Sequence, residues 1–287
     1  MSALRERMIQ DMQLRGFSPR TQESYDRAVR KLAEHYHKPP DRVTEEELRQ
    51  YFLFRTTVTG WSRVACTIAL CGIKFFYEQT LKRDWTTVGL LKPKRLKSLP
   101  TVLSFEEVRR TLARVHMLRH RVCLTTIYSC GLRLTEGRTL RIPDIDSDRM
   151  FLHIRGKGNK DRYVPLPKRT LELLRGIWKT HRNPQWLFPA PGRGGQKEPT
   201  ANKPLPVASV QIAFKEALSK ARVSKRASVH TLRHSYATHL LEQGVDLRII
   251  QHILGHANPQ TTMIYTQLTE PALKPATEII NRLMALL

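Results

Sequence analysis

The chain has 287 residues, with 49 Lys and Arg against 25 Asp and Glu and a formal net charge of +24. The length suggests about two domains, each large enough to bury an ordinary core. A charge so far from neutral points to a polyanionic partner, nucleic acid first, and its self-repulsion weighs against a surface that is merely well solvated.

No run is long and apolar enough to span a bilayer, and MSALRERMIQ lacks the apolar core of a signal peptide. A soluble, intracellular protein is the expectation. The four cysteines, Cys66, Cys71, Cys123 and Cys130, form no C-x-x-C pair and sit in apolar helical runs. They read as small buried hydrophobes in a reducing compartment.

Residues 1–90 read as a bundle of about four helices. Ser18-Pro19 opens one of them, with Tyr25, Val29 and Leu32 on a single apolar stripe. Thr44 and Glu47 make a capping box ahead of Leu48, Tyr51 and Phe52. Residues 62–81 form one long helix that mixes basic and apolar side chains. Arg55, Arg63, Lys74, Lys82 and Arg83 would suit DNA, although a helical domain without a ligand has the same pattern. Residues 91–101, LKPKRLKSLPT, make a poor helix and a good tether. Lys92, Lys94, Arg95 and Lys97, on either side of Pro93 and within the same stretch, would lie along phosphates or simply be solvated.

A second domain, 102–287, opens with the capping box of Ser104 and Glu107. Residues 118–130 read as a helix stopped by Gly131. Arg133 follows in CGLRLTEG, with Thr135 placed to cap the next helix. Gly137 falls inside that helix, where glycine weakens the interior and predicts a loose turn. Residues 150–166, MFLHIRGKGNKDRYVPL, alternate, turn and return as a β-hairpin with Lys157 at its tip and Lys160 three residues on. The P-loop pattern is absent. Residues 189–206, rich in Pro, Gly and Lys, read as a mobile basic loop, and 207–222 return to helix.

Residues 230–267, HTLRHSYATHLLEQGVDLRIIQHILGHANPQTTMIYTQ, fold as three short helices. Gly244 with Asp246 and Gly255 with Asn258-Pro259 mark the two connections. His230 and Arg233, three apart, share a helix face. The path brings His256 and Tyr265 towards them. Arg is suited to bidentate phosphate contact, His carries protons near neutral pH, and Tyr can serve as a covalent nucleophile. Together they suggest phosphoryl transfer to a tyrosine. A zinc site fits less well: His230/His234 and His252/His256 have i, i+4 spacing, but no carboxylate or Cys within the stretch completes a ligand set.

The H-x-x-R, L-G-H and Tyr elements, in that order, resemble the C-terminal catalytic box of the tyrosine recombinases, or phage integrases. GLRLTE resembles that family's first arginine motif, and RGFSPRTQESY resembles the opening of its core-binding domain. The resemblance implies a mainly α fold with a small antiparallel β-sheet in the catalytic domain. It also implies two domains closing as a C-shaped clamp on duplex DNA. The active-site set it implies is Arg133, Lys157, His230, Arg233, His256 and Tyr265, with Glu136 as the acidic supporting position; Lys160 competes with Lys157 for the lysine role and otherwise suits a DNA contact.

In that mechanism Tyr265 attacks a backbone phosphate and forms a 3′-phosphotyrosyl link. The covalent link conserves bond energy, so no nucleotide cofactor and no metal are expected. The implied partners are duplex DNA with paired inverted-repeat sites and further protomers, in a homotetramer or heterotetramer on two sites. The tail helix, 276–287, carries an apolar stripe that would tie protomers together or fold onto its own domain. A bacterial cytoplasmic, nucleoid-associated enzyme of a mobile element is the working expectation. A type IB topoisomerase-like enzyme would share the chemistry, and an inactive DNA-binding accessory protein would share the fold.

Overall fold

The computed structural model describes residues 3–83, 99–156, 161–192 and 198–255. The chain divides into two compact units, Met1–Lys97 and Ser98–Leu287.

The first unit is built from α1 (Ala3–Leu14), α2 (Pro19–Tyr36), α3 (Glu45–Thr57) and α4 (Arg63–Phe75). Local chemistry sets the helix starts. Ser18 Oγ accepts from the Thr21 amide at the head of α2, with Pro19 in its first turn. Thr44 and Glu47 cap α3 reciprocally, each side chain reaching the other's amide. The helix expected over 62–81 starts at its Ser62 cap, but its final turn, Phe76–Thr80, is a π-helix. Met8, Met12, Leu32, Leu48, Tyr51, Ile73, Phe76 and Tyr77 make the core. Gly72 lets α4 lie against α2, because a Cβ there would stand 2.9 Å from the Tyr25 Cα. Cys66 is buried, but Cys71, expected to be buried with it, is exposed. It falls on the face of α4 turned away from Ile73 and Ala69.

The second unit packs α5 (Phe105–Ala113), α6 (Leu118–Ser129), α7 (Leu134–Arg138), α8 (Lys168–His181), α9 (Val207–Lys220), α10 (Val229–Glu242) and α11 (Leu247–Leu254) with a small sheet. Helix α6 is central. Val122, Cys123, Leu124, Thr126 and Ile127 are all buried, so α6 has little solvent face, as expected of a helix enclosed by others. The Ser104–Glu107 capping box opens α5.

The sheet is antiparallel, in the order β1 (Ile145–Asp146), β2 (Phe151–Ile154), β3 (Arg162–Pro165). The last two strands are the expected hairpin; β1 and α8 were not anticipated. Register pairs Leu152 with Val164 and Ile154 with Arg162. Alternation then sends Leu152, Ile154, Val164 and Arg162 inward and Phe151 and Tyr163 outward.

Two local expectations are corrected. Thr135 does not cap α7. The Glu136 carboxylate does so, accepting from the Arg133 amide at 2.8 Å, a charged acceptor outcompeting a hydroxyl. Nor is Gly137 loose: it is buried, and a Cβ there would lie 2.4 Å from Ile127 Cγ1. The glycine is what lets α7 sit on α6. The stretch expected as a mobile loop is fastened at its described ends. Pro189 bridges Pro204, and Asn183 Nδ2 donates to the carbonyls of Glu198 and Ala201.

Candidate active site

Glu136 organises the site. Its carboxylate is 9% exposed and sits among three guanidinium groups. Arg133 donates from Nη1 to Oε1 at 2.7 Å. Arg162 donates from Nη1 to Oε1 at 3.1 Å and from Nη2 to Oε2 at 2.8 Å. Arg233 Nη1 stands 3.8 Å from Oε2. Burial would push this carboxyl up. The hydrogen bonds and charge of Arg162, followed by the backbone and side-chain hydrogen bonds from Arg133, overcome it and hold the group at about 2. One negative charge against three positive ones leaves the cluster strongly cationic.

The same arginines finish helix α11. The last carbonyls of a helix have no partner within it. Here Arg162 Nε donates to the Ile253 carbonyl at 2.8 Å, Arg233 Nη2 to that of Leu254 at 2.5 Å, and Arg133 Nη2 to that of Gly255 at 3.3 Å. Three successive carbonyls thus take three different arginines. Gly255 ends the helix in the left-handed conformation, φ 62°. A Cβ there would come within 2.9 Å of Arg162 Cδ. Arg233 also donates to the Gly131 carbonyl at 2.7 Å. Gly131 is left-handed as well, and a Cβ on it would stand 2.6 Å from the Tyr236 ring. These two glycines let α6, α10 and α11 converge on the cluster.

The arginines differ in exposure. Arg162 and Arg233 are buried, whereas the Arg133 side chain is 37% exposed and forms the open face. His230 is exposed in the first turn of α10, where the helix dipole favours anions. Lost hydration first, then the charges of Arg233 and Arg133, lower its pKa, while Glu136 pulls the other way. His234, one turn on, is lowered by burial, His230 and Arg233. Among the described residues, no group of three or more His, Cys, Asp or Glu could hold a metal ion.

The structure therefore brings together Arg133, Glu136, His230 and Arg233. Lys157, Lys160, His256, Tyr265 and the tail 276–287 lie outside the described residues, as do Lys92, Lys94, Arg95 and Lys97. Arg162 was missed from sequence. Its signal was parity, since it shares the buried side of β3 with Val164 and precedes buried Leu166 by four residues.

The basic residues of the first unit are less uniform than their charges suggested. Arg55 lies over the rings of Tyr51, Phe54 and Trp61, and so acts largely as a packing element. Lys74 stands 3.4 Å from Glu78, and Arg83 donates to the Asp41 carbonyl. Arg63 opens α4 and is half-buried, and Lys82 is exposed.

A mainly helical chain with a small hairpin sheet and a buried cluster of arginines on one carboxylate has the makings of a phosphoryl-transferring enzyme that acts on nucleic acid. Comparison with known proteins gives the family. The phage integrase family matches residues 101–271, and the N-terminal SAM-like domain of phage integrases matches residues 4–87. The chain is 40% identical over 270 residues to the putative integrase/recombinase y4qK of Sinorhizobium fredii, covering 93% of this chain and 85% of that protein. It is 34% identical over 269 residues to the tyrosine recombinase XerA of Pyrococcus horikoshii, covering 93% and 90%.

Among solved structures, a XerA recombinase matches with a TM-score of 0.54 at 27% identity, over 95% of this chain and 96% of that one. A XerH recombinase bound to palindromic difH substrate shares the fold, with a TM-score of 0.71 at 24% identity, over 91% and 80%. The chain belongs to the phage integrase family and is a site-specific tyrosine recombinase, a DNA strand-transferring enzyme that cuts and rejoins DNA.

Proposed function

We propose that Tyr265 attacks a DNA backbone phosphate. The phenolic oxygen forms a bond to phosphorus as the bond to the 5′ oxygen breaks, leaving a 3′-phosphotyrosyl link. His230 takes the tyrosine proton, and Lys157 gives a proton to the departing 5′ oxygen. Arg133 and Arg233 hold the non-bridging oxygens where charge builds up, and His256 hydrogen-bonds the phosphate. A partner strand's 5′ hydroxyl then attacks the phosphotyrosine and restores the backbone.

The observation that carries this reading is the set of three guanidinium groups around one buried carboxylate, with Arg133 on its open face. Such fixed donors supply positive charge without reorganising during the reaction. The other tyrosines described in the second unit suit the nucleophile role poorly. Tyr128 and Tyr236 have hydroxyls pushed up to about 12 by burial, and Tyr163 lies on the outer face of β3, opposite Arg162.

We further propose that the two units clamp duplex DNA at paired inverted-repeat sites. The assembly is a tetramer on two sites, tied together by the tail 276–287, and it acts on bacterial DNA in the cytoplasm. Deleting 276–287 then preserves one-site complexes on native gels and abolishes paired-site complexes. For the chemistry, the full chain is mixed with sheared host genomic DNA in EDTA and denatured, and protein-linked DNA is sequenced. A recurrent break with DNA joined to protein through its 3′ phosphate supports the reading. Recovery of no linked DNA, or of links through a 5′ phosphate, defeats it.

A further inference from the structure

We infer that Arg162 is a positioning residue of the strand-transfer site: it pairs with Glu136 and anchors the end of α11, so that Arg233 is kept from closing on the carboxylate and Arg133 is held in place for the phosphate. The inference rests on the proposed reading of Arg133 and Arg233.

At 5% side-chain exposure, Arg162 is too enclosed to meet a DNA backbone itself. It enters from the inner face of β3, and its guanidinium bridges two other elements. Both Nη atoms reach Glu136 on α7, and Nε reaches the Ile253 carbonyl on α11. Planar fork geometry permits this; a lysine ammonium has no such rigid fork.

The arrangement divides the labour. Glu136 takes its paired bonds from Arg162, so its pull on Arg233 acts only across 3.8 Å. Arg233 is aimed instead by the carbonyls of Gly131 and Leu254. Without Arg162, the buried carboxylate would draw Arg233 inward and neutralise it, and the Ile253 carbonyl would lose its donor. Arg133 would shift too, because its amide and its guanidinium both rest on Glu136 and its Nη2 rests on Gly255 beside Arg162. A displacement of about 1 Å at such a site costs roughly 100-fold in rate.

The test uses the full chain and a nicked duplex carrying the break sequence recovered from genomic DNA. Arg162→Met, Arg133→Ala and the double variant are compared with wild type for DNA affinity and single-turnover cleavage. Arg162→Met is expected to bind within about threefold of wild type yet cleave on the order of 100-fold more slowly. Added to Arg133→Ala, it should cost less than about tenfold further, because both act through one geometry. A residue needed only for folding would instead multiply its loss onto that of Arg133→Ala.

Where Arg162→Met does not fold, Arg162→Lys, which keeps the charge and loses the fork, runs in the same cycle with the same expectation. Cleavage within about threefold of wild type, or losses that multiply, overturns the inference while leaving the parent reading intact. A wild-type chain that forms no adduct removes both.

Discussion

Arg133, at the start of α7, donates from Nη2 to the carbonyl oxygen of Gly255, 122 residues further along the chain, at 3.3 Å. The contact joins the first arginine motif to the L-G-H motif. It is also the last of the three arginine contacts that finish α11. The site is therefore coupled to the fold through backbone carbonyls as well as through side-chain pairs, and substitutions around it should change stability and rate together.

Glu136 should make the second unit acid-labile. Its carboxyl falls from an ordinary 4.5 to about 2 in the folded chain. A lowered folded pKa contributes stability that is fully present above about 4.5 and is lost as the pH falls through about 2. The contribution is about 3 kcal/mol. Hydrogen exchange of α6 and α10 amides measures it. Glu136→Gln should lower the opening free energy at pH 7 by about that amount, with the gap from wild type narrowing between pH 4.5 and 2.

Gly131→Ala should cost more than Gly244→Ala, although both glycines are left-handed, at φ 59° and 81°. At Gly244 a Cβ meets nothing within 4 Å, so only backbone strain of about 1–2 kcal/mol applies. At Gly131 the Cβ meets the Tyr236 ring and Leu254, adding roughly 1–3 kcal/mol of overpacking. Thermal unfolding of the two variants gives the difference, and equal shifts would show that the ring moves aside freely.

The parts of this arrangement that were legible in sequence are the local ones. Ser18, Thr44, Ser104, Asp246 and Gly255 mark helix ends because capping needs only neighbouring residues. The grouping of His230 with Arg233 followed from helix periodicity, and Arg133 and Glu136 followed from a motif. Arg162 was not legible as a site residue, because its role depends on pairing β3 with β2 and packing it on α11, contacts made across 91 residues to Ile253. Cys71 and Arg55 misled for the same reason. An apolar helical run does not say which face is covered, and a basic side chain does not say which rings lie beneath it. Gly137 looked like a weakness because Ile127, its partner on α6, is invisible to local propensity.

His230 should act as a base at lower pH than a free imidazole. Lost hydration, Arg233 and Arg133 disfavour its charged form and outweigh the opposing pull of Glu136; His234 faces it from the next turn. Single-turnover cleavage on the nicked duplex should hold its rate below pH 6.5 and then fall as His230 protonates. Arg133→Ala, itself slower by about two orders of magnitude, should move that acid limb to higher pH by removing a positive neighbour. A limb that stays in place would take the proton-transfer role away from His230.

DNA binding should weaken steeply with salt, since the chain carries a net charge of +24. Neutralising six to ten phosphates would cost about 10³–10⁵ in affinity between 50 and 200 mM salt. Filter binding over that range gives the slope. Cleavage on the same substrate should proceed in EDTA; loss of activity restored by zinc or magnesium would replace the arginine-based account with a metal-based one.

The most direct test of the account is Tyr265→Phe, which removes a single oxygen. Wild-type and variant chains are incubated with the nicked duplex, denatured and resolved for protein–DNA adducts, with binding followed in parallel by gel shift. Tyr265→Phe should bind as wild type does and give no adduct, whereas wild type should give a stable 3′-linked adduct. An adduct of normal yield from the variant would contradict this and place the nucleophile elsewhere in the chain.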